Sequence, residues 1–116
     1  MTRFCDLKCT PCRRDEPPLK GEDLAKFAEY VPTWEVVREH HLTKKFRFRN
    51  YADAHAFVNR IAALAEEQDH HPWIHFTWGQ VRVELWTHRI DGLHDNDFIL
   101  AAKIDQLPTP GAVIKP

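Results

Sequence analysis

The sequence predicts an α+β domain: a four-stranded antiparallel sheet with three helices packed on one face, in the order α-β-β-α-β-β-α. Three observations carry that reading. Residues 51 to 68 repeat apolar side chains at helical spacing. Residues 42 to 49 and 73 to 85 alternate apolar with polar, as half-buried strands do. Gly79-Gln80 divides the second alternating stretch where a hairpin loop belongs. Short antiparallel strands of this kind bury one face, which the helices must cover.

In chain order, residues 1 to 18 form a Cys-, Pro- and charge-rich arm, residues 19 to 106 the folded domain, and residues 107 to 116 a Pro-rich tail. Gly21 to Tyr30 places Leu24, Phe27 and Ala28 on one helical stripe that Pro32 ends. Trp34 to Val37 is a first strand. Leu42 to Arg49 is a second, with Phe46 and Phe48 inward, and Lys44, Lys45, Arg47 and Arg49 read as a basic face turned to water. Asn50 is a plausible N-cap for a long helix bearing Ala54, Phe57, Val58, Ile61, Leu64 and Ala65 as far as Gln68. A last helix opens near Asp95/Asn96 with Phe98, Ala101, Ala102 and Ile104.

A two-residue Gly79-Gln80 loop sets Trp78 opposite Val81, Phe76 opposite Val83 and Ile74 opposite Leu85, which gathers the apolar side chains on one face. The other face then pairs Trp73 with Trp86, His75 with Glu84 and Thr77 with Arg82. The same register brings His71 opposite His88.

With 16 Lys plus Arg against 17 Asp plus Glu, the formal net charge of -1 gives no global attraction to nucleic acid or anionic membrane. No apolar run is long enough to span a bilayer and no secretory signal is visible, so a cytoplasmic location is expected. Cys5, Cys9 and Cys12 supply three soft ligands without a fourth nearby, and read as free thiols in a loose arm rather than a zinc site.

Function must therefore sit in a local site, and the candidate is histidine-rich. His70 adjoins His71, Glu66 lies one helical turn before them, Asp69 is next to them, and Asp97 can approach from the last helix. Imidazoles donate and accept protons at neutral pH, and carboxylates orient their rings, which suits a dehydration or isomerisation. A histidine metal site is the rival reading, and adjacent His70-His71 is awkward for shared chelation. His40-His41 reads as a solvated surface pair.

The spacing Glu66-x-x-x-His70-His71-Pro72, five residues to Trp78, nine to His88 and eight to Asp97 resembles the signature of the pterin-4a-carbinolamine dehydratases. Trp34-Glu35-Val36, Phe46-x-Phe48, Thr87-His88 and Gly92-Leu93 agree with it, over about residues 19 to 105. The resemblance implies the same α+β fold and removal of water from 4a-hydroxytetrahydrobiopterin to give quinonoid dihydropterin, with no metal or organic cofactor. It implies His70 and His88 as the acid/base pair, with the order open, and His71 holding substrate. Glu66, Asp69 and Asp97 would support the site, Thr87 would belong to it, and Trp78 would form a wall.

The chain departs from relatives in having His94-Asp95-Asn96 where Ser is common before the last helix, and Trp73 after Pro72. Its Cys9-Thr10-Pro11-Cys12 arm resembles the leader of many bacterial members. The competing class is a binding or assembly protein on the same fold. A homo-oligomer, dimer or tetramer, is expected, since a small sheet leaves open edges.

Overall fold

The computed structural model describes residues 6–9 and 16–109. Helix α1 spans Gly21–Ala28, β1 Glu35–Val37, β2 His41–Arg47, α2 Tyr51–Gln68, β3 Trp73–Thr77, β4 Gln80–Leu85 and α3 Asp95–Asp105, with a turn of 3-10 helix at His88–Ile90. Every strand pair is antiparallel and the sheet order is β1-β2-β4-β3. The α-β-β-α-β-β-α reading holds.

Asn50 caps α2 as its residue type predicts: its side chain accepts from the Asp53 amide at 2.8 Å. Ala54, Phe57, Ile61 and Ala65 form the buried stripe, and Asp69 ends the helix in the left-handed conformation. Helix α3 is different. From Asn96 to Ala102 every residue is buried, so it runs through the interior rather than across its surface. Phe57, Ile61, Val81, Val83, Leu85, Phe98, Leu100 and Ile104 form the centre of the core, where each large apolar side chain contributes about 1.5–3 kcal/mol by leaving water.

Three expectations need correction here. The β3–β4 register is shifted by two: Phe76 pairs with Val81 and Ile74 with Val83. The loop is Trp78-Gly79, closed by the pairing of Thr77 with Gln80, and the positive φ of 72° falls on Gly79 at its second position, as in a type II turn. A Cβ at Gly79 would also meet the Phe48 carbonyl at 2.9 Å. A shift of two keeps every side chain on its face, so the apolar pattern is satisfied either way.

Lys44 does not belong to a water-facing strip. It shares the Phe46 face, where Nζ donates to Asp105 Oδ1 at 2.7 Å and Thr33 Oγ1 at 2.8 Å and sits 4.8 Å from the Phe46 ring centre. The Asp105 carboxylate, also held by Trp34 Nε1, is what makes a half-buried ammonium tolerable.

Cys9 is not in a loose arm either. Its amide donates to Gln68 Oε1 at 3.0 Å, its Sγ lies 3.6 Å from the Asn96 carbonyl, and burial pushes the thiol up to about 11. Cys5 and Cys12 fall outside the described residues.

Between β1 and β2, Arg38 and Glu39 both take positive φ, 51° and 55°, closed by a His40 amide to Val37 carbonyl bond at 2.9 Å. This is a type I′ hairpin turn built without glycine.

Candidate active site

The site assembles around one carboxylate. Asp97 is the third residue of α3 and is fully buried. Its Oδ2 accepts from the His94 amide at 2.9 Å, completing a two-way cap, and from Thr87 Oγ1 at 2.9 Å. Oδ1 lies 2.7 Å from His70 Nε2. Three donors and the amide end of α3 offset the desolvation of that carboxylate.

His70 reaches Asp97 because of the way α2 ends. Asp69 turns the chain in the left-handed conformation, and the His70 amide bonds back to the Ala65 carbonyl at 3.2 Å. With Asp97 accepting at Nε2, the proton sits there, and Nδ1 is left with its lone pair. The ring is mostly buried, with 13% of its side chain exposed.

His71 lies at the surface with Nε2 at 2.5 Å from Glu66 Oε2. His88 begins the 3-10 turn in the loop between Thr87 and Gly92, whose ends bridge through the Thr87 amide to Gly92 carbonyl bond at 2.8 Å. Its ring packs 4.7 Å from Trp86 and 6.3 Å from Trp73, and the two indoles stack 6.0 Å apart and 10° from parallel.

The sequence-predicted residues thus fall into three groups. His70, Thr87 and Asp97 are joined directly, His71 and Glu66 form a second pair, and His88 follows Thr87 in the chain. The strand pairing of His71 with His88 is not formed, since β3 begins at Trp73 and β4 ends at Leu85. Asp69 acts through its backbone. Trp78 is carried away from the cluster: it sits exposed in the turn at the other end of β3, about 17 Å along an extended strand of five residues.

Sequence reasoning missed the surroundings of Trp86. His40 and His41 are not a solvated pair, because their rings lie 5.3 and 5.8 Å from the indole. His40 Nε2 is 2.8 Å from Asp91 Oδ1, and the two Nδ1 atoms are 3.1 Å apart. Burial pushes the His41 imidazole down, helped by His40 and Arg38 and opposed by Glu84 and Glu35. The missing signal was the adjacency of β2 and β4, which pairs Leu42 with Leu85 and brings His41 beside Trp86.

Among the described residues, no group of three or more His, Cys, Asp and Glu side chains is placed to hold a metal ion. The arrangement offers oriented imidazoles, a buried carboxylate and flat aromatic walls, a set suited to proton transfer on a planar ring.

A family model described as pterin 4 alpha carbinolamine dehydratase matches residues 17–107. A Rubrobacter xylanophilus protein named for pterin-4-alpha-carbinolamine dehydratase is 52% identical over 107 residues, covering 92% of this chain and all of that protein. One from Rickettsia canadensis, so named, is 47% identical, covering 90% of this chain and 97% of its own.

Among solved structures, a transcriptional coactivator/pterin dehydratase from Brucella melitensis superposes with a TM-score of 0.70 at 27% identity, over 76% of this chain and 95% of that one. A pterin dehydratase-like RuBisCO assembly factor of the alpha-carboxysome gives 0.55 at 31% identity, over 63% and 86%. A match running from the end of the leader past the last helix, with relatives near half identical along almost their whole length, places this chain in the pterin-4-alpha-carbinolamine dehydratase family.

Proposed function

We propose that this chain removes water from a 4a-hydroxytetrahydropterin, with His70, His71 and His88 as its working groups. The observation that carries this reading is the buried Asp97–His70 pair, which leaves one imidazole nitrogen oriented and free. In the reaction the N5 proton leaves, the C4a–O bond breaks as the hydroxyl takes up a proton, and a C4a=N5 double bond forms. One base and one acid suffice.

His70 Nδ1 is the base in this reading, because Asp97 would stabilise the imidazolium it becomes. His88, exposed on two indole faces, delivers the proton to the leaving hydroxyl and recovers it from solvent. His71, fixed by Glu66, holds the substrate, and Trp73 and Trp86 form the flat wall against which a pterin stacks. The product is a quinonoid dihydropterin, so the role is recycling of the tetrahydro form. No residue in this scheme needs a metal or an organic cofactor.

The working state is a homo-oligomer in the cytoplasm. Edges at β1 and β3 that no other described strand covers, with Trp73 and Trp78 exposed at the ends of β3, support association. No described helix is long and apolar enough to cross a membrane.

A second reading, a non-catalytic assembly protein, is favoured by the likeness to the RuBisCO assembly factor. A dehydration assay with chelator present separates the two. His70→Ala and His88→Ala should each lower kcat by about 10²–10⁴-fold with the fold intact by circular dichroism. A native rate equal to the spontaneous one overturns the enzyme reading.

A further inference from the structure

Part of the leader is fastened where α2 stops and α3 starts. Cys9 bonds Gln68 and touches the Asn96 carbonyl. Glu16 Oε2 lies 2.6 Å from His94 Nε2, the Leu19 amide donates to the Leu93 carbonyl at 2.9 Å, and Pro18 packs so close to Gly92 that a Cβ there would meet it at 2.7 Å. Cys9 and Glu16 precede the stretch that the family model covers.

These contacts converge on the cap of α3. His94 is an unusual N-cap, since the favoured ones are short hydroxyl, carboxylate or amide side chains. Its Nδ1 accepts from the Asn96 amide at 3.2 Å, which requires an unprotonated Nδ1. Glu16, accepting at Nε2, selects that tautomer, in the way that an outer carboxylate fixes a ligating histidine. The His94 side chain is only 12% exposed, so little water competes for either nitrogen. The His94 amide in turn donates to Asp97 Oδ2, and Asp97 Oδ1 meets His70.

We propose that Glu16 and His94 are positioning residues, through which the leader holds the Asp97 carboxylate against His70. The inference rests on the dehydratase reading for its kinetic consequence and on geometry alone for its spectroscopic one. A serine at position 94 can cap through its hydroxyl without any tautomer to select, so it uncouples the cap from Glu16. A leader that merely stabilises the fold would act equally in both backgrounds.

The test is a double-mutant cycle in the full chain. In the native background Glu16→Ala should lower kcat about tenfold with KM within about twofold, while Glu16→Gln, which keeps an acceptor, stays near native. In a His94→Ser background, Glu16→Ala should change kcat by less than about twofold relative to His94→Ser itself. ¹⁵N spectra of the His70 ring should show the fixed Nε2–H tautomer blurred by Glu16→Ala in the native background and unaffected in the other.

Equal losses in both backgrounds, or a His70 spectrum indifferent to Glu16→Ala, overturn the proposal. If the native protein proves inactive, the dehydratase reading fails alone and the spectra still decide the leader's role. Should Glu16→Ala not fold, Glu16→Leu, which also removes the acceptor, carries the same comparison in both backgrounds through the spectra.

Discussion

Two Asp–His pairs of almost the same length stand among the described residues, and they are not equivalent. His70 Nε2 meets Asp97 at 2.7 Å and His40 Nε2 meets Asp91 at 2.8 Å. Asp97 has no exposed side-chain surface, whereas the Asp91 side chain is 88% exposed. In water such a pair competes with hydration and with rotamer freedom, and is worth about 0–1 kcal/mol. Inside, the same bond is directional, and breaking it strands a buried charge. Distance alone therefore does not identify a working histidine; what surrounds the carboxylate does.

The largest break in that comparison should come from Asp97→Asn. The amide cannot accept from all three donors, and it turns an N–H towards one of them. We expect kcat to fall about 10²–10⁴-fold, as when a buried orienting carboxylate loses its charge, and stability to fall by about 3 kcal/mol. Steady-state kinetics and urea unfolding measure both.

Trp86→Ala comes next, because one indole contacts His88 of the site as well as His40 and His41. KM should rise about tenfold through lost stacking, with a smaller loss in kcat. Quenching of tryptophan fluorescence by added pterin should weaken in parallel.

A smaller effect concerns pH. The His41 imidazole is held below its ordinary value chiefly by burial. Its folded form binds fewer protons than the unfolded chain, so stability is full above the unfolded value of 6.5 and falls as pH drops below it. Urea midpoints between pH 7 and 5 should decline less steeply in His41→Gln. An unchanged slope would assign the decline to other groups.

Smallest of all is Asp91→Asn, which should shift stability by less than about 0.5 kcal/mol and leave turnover within about twofold. A loss comparable with Asp97→Asn would erase the distinction drawn from burial.

The helices and strands were legible because their apolar periods are regular, and Asn50 announced the start of α2. The hairpin register was not, since moving it by two residues leaves Phe76 and Ile74 facing the core in either case. Gly79 has a positive φ in either register, so only the observed pairing of Thr77 with Gln80 decides. Strand order was equally silent, and with it the contact of His40 and His41 with Trp86. Lys44 misled because a charge in an alternating strand reads as solvated until its partner, Asp105, is seen 61 residues away. Asp97 was reachable from the family spacing. Its joint hold on Thr87, His94 and His70 is a three-dimensional fact that no spacing encodes.

That Asp97 rides on α3 has a consequence for how the protein fails. A helix buried along most of its length cannot swing, fray inward or shift register without emptying the core. The carboxylate thus has no local hinge of its own. Heat, denaturant or a cavity made at Leu100 or Ile104 reaches the chemistry and the fold through the same helix, so these insults remove catalytic geometry and cooperative structure together.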